Sequence, residues 1–162
     1  MSAEEHGVVT TEQVPVADSI VSRFQGALRP DEREGYEGYI VEVEQLQEVA
    51  TVVRDELGYD YLSSVTGVDY LDEGQIEVVY HAYQTSGGPA LNLKVQVDRE
   101  NPILPSLVSV YPGADFQERG IFDLYGVSFE GHPNLRRILM WDGFAGHPLR
   151  KDWQEAYFEE EN

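Results

Sequence analysis

The stretch Gln75-Ile76-Glu77-Val78-Val79-Tyr80-His81-Ala82-Tyr83, followed after a turn-rich connector by Leu91-Asn92-Leu93-Lys94-Val95-Gln96-Val97, decides the fold. In the first segment Ile76, Val78, Tyr80 and Ala82 alternate with Glu77, Val79, His81 and Tyr83. In the second, Leu91, Leu93, Val95 and Val97 alternate with Asn92, Lys94 and Gln96. Successive residues of a strand point to opposite faces, so each segment predicts a strand with one apolar and one mixed face. The connectors Asp72-Glu73-Gly74 and Ser86-Gly87-Gly88-Pro89 are short and turn-forming, so Tyr61 to Val97 reads as an antiparallel meander. Its mixed face calls for a cover, with a partner chain as one candidate.

Upstream the period changes. After Pro15, residues Val16, Ala17, Ile20, Val21, Phe24, Ala27 and Leu28 recur at steps of three and four and predict an amphipathic helix. Asp31 to Gly38 is a charged connector, and Tyr39 to Val43 is β-branched enough for a strand. Leu46, Val49, Ala50, Val53 and Leu57 then share a helical face that Gly58 terminates. Downstream, Asn101-Pro102 predicts a short helix with Leu104, Leu107 and Val108 inward, ended by Pro112-Gly113. A further helix runs from Ala114 to Leu124, with Glu118, Ile121, Phe122 and Tyr125 on one face. The order is that of an α+β fold, a mainly antiparallel sheet covered by helices. Beyond Gly126, residues Gly131, Pro133, Gly143, Gly146 and Pro148 interrupt any regular element, so an extended irregular C-terminal segment is expected. We therefore divide the chain into an α+β domain, 1–125, and a segment, 126–162, that packs on a partner, since long structureless stretches in compact domains usually serve a function or a partner.

Composition closes several alternatives. The 162 residues suffice for one domain, which buries about 70% of the surface its unfolded chain exposes. There is no cysteine, hence no disulfide, thiolate nucleophile or iron–sulfur ligation by this chain. No apolar run approaches the ~20 residues of a spanning helix, and Met1 to Val16 lacks the positive flank and apolar core of a secretory signal. A cytosol-facing protein is expected. The formal net charge of −19 repels phosphate backbones and anionic lipid headgroups, which argues against autonomous nucleic-acid binding. From Glu118 to Asp152, however, five bases balance five acids, so the whole excess lies elsewhere.

Catalytic motifs are missing. Neither a Walker loop nor GxGxxG, HExxH or a Gly-x-Ser-x-Gly elbow occurs, and His6, His81, His132 and His147 have no partner at metal-ligand spacing. Instead Gly131-His132-Pro133-Asn134-Leu135-Arg136-Arg137 is echoed by Gly146-His147-Pro148-Leu149-Arg150-Lys151. Each copy sets two cations after a Gly-His-Pro turn. Arginine forks hold carboxylates or clustered carbonyls in fixed geometry, which suits a partner surface. The competing role is local, with these bases neutralising helix C-termini or acidic surface, and Arg119 forming an intrahelical pair with Asp123.

The string from Glu118-Arg119-Gly120-Ile121-Phe122-Asp123-Leu124-Tyr125-Gly126 through Gly131-His132-Pro133-Asn134-Leu135-Arg136-Arg137-Ile138-Leu139 closely resembles the signature of the C subunit of respiratory complex I, the thirty-kilodalton subunit family of NADH:quinone oxidoreductase. Gly146-His147-Pro148-Leu149-Arg150-Lys151-Asp152 resembles that family's Gly-x-Pro-Leu-Arg-Lys-Asp close. Phe116 stands where the family usually has Trp, Gly120 where it has a second Glu, and Trp153-Gln154-Glu155 where a closing Pro often follows. The resemblance implies a subunit without cofactor or catalytic residues of its own, in the peripheral arm on the cytoplasmic side of the membrane. Its partners would be the D subunit and the protein that carries the terminal iron–sulfur cluster, near the quinone site. NADH, FMN, iron–sulfur clusters and quinone would belong to the rest of the complex. On that basis Arg136, Arg137, Arg150 and Lys151 are expected to reach out to the D subunit. A sister assembly remains open, namely the J subunit of a ferredoxin:plastoquinone oxidoreductase or its counterpart in membrane-bound hydrogenases. So does a stand-alone acidic module with a ligand cleft near Tyr70, Tyr80 and Tyr83.

Overall fold

The computed structural model describes residues 16–155. The readings of residues 1–15 and of the acidic tail beyond Glu155 fall outside the described residues. In chain order the elements are α1 (Val16–Arg23), β1 (Leu28–Pro30), β2 (Tyr39–Val41), a 3-10 turn (Val43–Gln45), α2 (Leu46–Asp55), β3 (Tyr61–Tyr70), β4 (Gln75–Tyr83), β5 (Leu91–Asp98), β6 (Ile103–Pro105), α3 (Ala114–Tyr125) and β7 (Ser128–Glu130). Five strands form one sheet in the order β1-β2-β5-β4-β3, antiparallel except where β2 lies parallel to β5, and β6 pairs with β7 apart from it. This is the α+β class that the periodicity predicts.

The register follows the alternation. Ile76, Val78, Tyr80 and Ala82 of β4 lie opposite Val97, Val95, Leu93 and Leu91 of β5, and all eight are buried. Leu46, Val49, Ala50 and Val53 of α2 join the same core, fully shielded from solvent. Burying a Val or Leu side chain stabilises the fold by about 1.5–3 kcal/mol, so this face sets the sheet's orientation.

Two expectations are corrected. The first helix stops at Arg23, because Ala27 and Leu28 donate their N–H groups to the Phe24 carbonyl and close a turn, after which Leu28 enters β1. The helix expected after Asn101-Pro102 is instead a strand, with Ile103, Leu104 and Pro105 paired in parallel to Ser128, Phe129 and Glu130. Leu104 and Leu107 are buried as their polarity requires, with a single turn closing at Leu107.

The mixed sheet face has an internal cover. The 31–38 connector lies over it, with the Asp31 carboxylate accepting from Lys94 Nζ at 2.7 Å and from Arg33 Nη2 at 2.6 Å. Arg33 also bonds Glu77 at 2.8 Å, and Tyr36 caps its guanidinium with a ring 4.3 Å away. Hydrogen bonding to Arg33 outweighs the opposing effect of burial and holds the Asp31 carboxyl well below the usual carboxylate range. The tyrosine cleft of the stand-alone alternative does not form. Tyr80 is buried in the core, while Tyr70 and Tyr83 sit beside opposite ends of β4, roughly 25 Å apart at strand rise.

Candidate docking site

Helix α3 ends at Gly126, whose left-handed backbone (φ +77°) turns the chain back, and the segment that follows wraps both ends of the helix. Within α3, Glu118 is fully buried and ties the helix to the loop after β6. Its Oε2 accepts from Ser106 Oγ at 2.6 Å, and Oε1 accepts from the Leu107 N–H at 2.7 Å and Tyr80 Oη at 3.3 Å. Burial pushes the Glu118 carboxyl up, and the bonds from Ser106, Leu107 and Tyr80 only partly offset that. Tyr125 presses its ring against β3 at Gly67, where a Cβ would come within 2.7 Å of it.

The first Gly-His-Pro copy locks the N-terminal half of α3. The His132 ring is shielded from solvent, and its Nδ1 accepts from the Asn134 N–H at 3.0 Å. That leaves Nε2 as the donor to the Asp115 carbonyl, also at 3.0 Å. Leu135 packs on the core, whereas Gly131 and Pro133 are exposed. Arg119 does not pair with Asp123. Its guanidinium donates to the carbonyls of Arg136 and Arg137, each at 3.2 Å.

Asp123 anchors the centre. It is fully buried, and Oδ2 accepts the backbone N–H groups of Ile138, Leu139 and Met140 at 3.1, 2.7 and 2.8 Å, while Oδ1 receives Arg137 Nη1 at 2.7 Å. Burial alone raises its pKa. The three N–H groups and the guanidinium together outweigh burial and hold the carboxyl below its ordinary value. Arg137 reaches further with Nη2, to the carbonyls of Phe144 at 3.0 Å and Gly146 at 2.9 Å.

The second copy closes the C-terminus of α3, whose last carbonyls have no partner within the helix. His147 Nδ1 bonds the Asp123 carbonyl at 3.0 Å, the Leu149 N–H bonds Leu124 O at 3.1 Å, and Arg150 Nε bonds Tyr125 O at 2.7 Å. Pro148 is half-buried behind His147 in the chain. Finally, the buried Asp69–Arg99 pair, 2.7 Å apart, takes hold of the end of the segment, with Asp152 bound to Arg99 at 2.5 Å and the Lys151 N–H to Asp69 Oδ2 at 2.8 Å.

Arg137 and Arg150, expected to extend to a partner, donate within the chain: the Arg137 fork takes Asp123 and the carbonyls of Phe144 and Gly146, and Arg150 Nε takes the Tyr125 carbonyl at the helix end. The segment 126–155 is irregular as expected, yet lies folded on its own domain. Arg136 and Lys151 are different. Both are exposed and form no ion pair among the described residues. The same segment turns large apolar side chains to solvent, Leu139 (63% exposed), Trp141 (69%), Leu149 (49%) and Ile138 (37%), and Phe116 (66%) does so from α3. Arg119 links Phe116 to this segment, its guanidinium 5.7 Å from the ring. Sequence reading missed this face because it followed the charges, most of which turn inward. Among the described residues, no group of His, Cys, Asp or Glu is placed to hold a metal ion, and no helix is long and apolar enough to cross a membrane.

The family described as respiratory-chain NADH dehydrogenase, 30 Kd subunit, matches residues 39–159. The chain belongs to this family. Its relatives include the NADH-quinone oxidoreductase C subunit of Moorella thermoacetica, 42% identical over 141 residues that cover 85% of this chain and 95% of that one. The protein of the same name from a Roseiflexus species is 43% identical over 143 residues, covering 83% and 82%. Among solved structures, a chain of the membrane-bound sulfane sulfur reductase, an archaeal respiratory membrane complex, superposes with a TM-score of 0.71 at 25% identity, covering 84% of this chain and 82% of that chain. A trypsin-resistant fragment (1–134) of Nqo5 gives a TM-score of 0.60 at 26% identity, covering 72% and 97%. As a family member the chain is a subunit of an oxidoreductase complex rather than a free-standing module.

Proposed function

We propose that this chain is a non-catalytic subunit of the peripheral arm of NADH:quinone oxidoreductase, docked on the D subunit near the quinone site on the cytoplasmic side of the membrane. In this role it binds no cofactor. NADH, FMN, the iron–sulfur clusters and quinone lie on neighbouring chains, and this subunit fixes their relative geometry, so that electrons pass from NADH to quinone and drive translocation. The observation that carries the proposal is the run of exposed apolar side chains Ile138, Leu139, Trp141 and Leu149 on one irregular segment, with Phe116 exposed on α3 and Arg136 and Lys151 exposed and in no ion pair among the described residues. Exposed apolar side chains gathered on one segment mark protein–protein contacts, and an exposed Trp is a frequent interface hot spot. The likeness to the sulfane sulfur reductase chain means that fold alone does not select the electron donor, and the names of the relatives favour NADH.

The test is a tagged full-length copy expressed in its host and recovered under native conditions. Native mass determination is expected to find the D subunit and the terminal-cluster protein in the recovered assembly. Substituting both Leu139→Ser and Trp141→Ser is expected to strip the chain from the assembly and abolish quinone reductase activity. A full complement of subunits and full activity in that double variant would overturn the proposal.

A further inference from the structure

Exposed apolar side chains on an irregular segment make a poor binding surface unless the backbone is held, because ordering each residue on binding costs roughly 1–2 kcal/mol of conformational entropy. In this chain the backbone beneath Ile138, Leu139 and Trp141 is held at one point. Asp123 Oδ2 accepts three successive N–H groups, from Ile138 to Met140, from a position fully shielded from solvent. No strand or helix among the described residues includes these amides, so the carboxylate stands in for regular structure. The same carboxylate orients Arg137, which grips the carbonyls of Phe144 and Gly146 and so fixes the far side of the Trp141 turn. The turn is closed by the Phe144 N–H to Trp141 O bond at 3.1 Å, and the Phe144 ring meets Trp141 edge-on at 4.9 Å.

We infer that Asp123 is the positioning residue of the docking face: by pinning the amides of 138–140 it presents Ile138, Leu139 and Trp141 as a preformed ridge to an apolar recess on a partner protein, whose rim pairs a carboxylate with Arg136 and a base with Asp142. The recess must be apolar to receive these side chains. Its rim sets a carboxylate against Arg136 and a base against Asp142, the exposed charges two residues before Ile138 and one after Trp141, neither of them in an ion pair among the described residues. Matching charges on the partner fix its register on the ridge. The inference rests on the docking role proposed above and adds the residue that makes the face competent.

A positioning residue and a contact residue leave different kinetic marks. Losing the pin lowers the fraction of chains whose ridge is formed, which reduces the association rate in proportion, whereas removing a contact side chain accelerates dissociation. The experiment compares full-length wild type, Asp123→Asn and Trp141→Ser for binding to the recombinant D subunit by surface-based kinetics, and for amide hydrogen exchange of the free chains. Asp123→Asn is expected to expose the 138–140 amides at least tenfold, leave the β4 and β5 amides unchanged, slow association about tenfold and leave dissociation within twofold. Trp141→Ser is expected to keep the amides protected and speed dissociation about tenfold. Retained protection in Asp123→Asn, or lost protection with unchanged association, overturns the inference. Should the β4 and β5 amides also lose protection, Arg137→Lys replaces it as the test, with the same expected slowing and the same refutation by unchanged association. Wild-type kinetics in Trp141→Ser would sink the docking role itself, independently of the pin.

Discussion

Replacing Gly126 by Ala tests how the second Gly-His-Pro copy holds helix α3. Two costs are expected, and the structure separates them. The backbone at Gly126 has φ +77°, a left-handed conformation that costs an L-residue roughly 1–2 kcal/mol. A Cβ placed there would lie 2.6 Å from the His147 ring, so the ring must move. That movement breaks the 3.0 Å bond from His147 Nδ1 to the Asp123 carbonyl, worth about 0.5–1.5 kcal/mol. Together the substitution should raise the opening equilibrium of the 147–153 segment by roughly 1.5–3.5 kcal/mol, or about 10- to 300-fold. The reporter is hydrogen exchange at the Leu149 amide, which bonds Leu124 O across this junction. In a His147→Ala background the steric cost vanishes and only the backbone cost remains, so a double-mutant cycle should show a coupling of about 0.5–1.5 kcal/mol. Strict additivity of the two substitutions would refute the proposed contact.

Acid should release the segment before it unfolds the sheet. Asp69 and Asp152, held down by hydrogen bonds to Arg99, and Asp123, whose donors overcome burial, all have lowered folded-state pKa values, so their stabilisation is complete above the ordinary aspartate range and fades as pH falls through it. Both tryptophans, Trp141 and Trp153, lie in this segment, so their fluorescence should change at a higher pH than far-ultraviolet circular dichroism, and coincident transitions would refute the order. Arg99→Met should destabilise the chain to urea by about 3–5 kcal/mol, since it leaves the Asp69 carboxylate buried and unpaired, and a loss below 1 kcal/mol would show that water already reaches Asp69.

Legibility in the sequence tracks how local the determining interaction is. The strands β4 and β5 are readable because period-two alternation is imposed by the pleat itself, and α2 because its apolar face recurs within four residues. Strand β6 is not, since three residues carry no period and its partner β7 lies some twenty-five positions on. Asp31 and Arg33 read only as part of a charged connector, because charge near glycine usually marks one. Only the placement of Glu77 and Lys94 on the opposing sheet face makes them a buried cluster. In the docking site the echo is visible as a pattern and its purpose is not. Arg137 and Arg150 are consumed by carbonyls fourteen and twenty-five residues upstream in sequence, and no spacing rule announces that.

The face that does turn outward follows from the same chemistry. A helix end offers carbonyls in need of donors, so a segment laid across it must direct N–H groups and guanidinium forks inward. Arg137, His147 and Arg150 do so, His132 reaches the Asp115 carbonyl near the other end, and Arg119 crosses from the helix to the segment's own carbonyls, while Glu130, Arg136, Asp142, Lys151 and Asp152 stay exposed. Above those inward donors the segment shows solvent the apolar side chains of Ile138, Leu139, Trp141 and Leu149, which an ordinary surface loop seldom does. Satisfying α3 and building an adhesive ridge are therefore one structural act: any substitution that frees an inward donor loosens the ridge, and no substitution on the ridge need disturb the helix beneath.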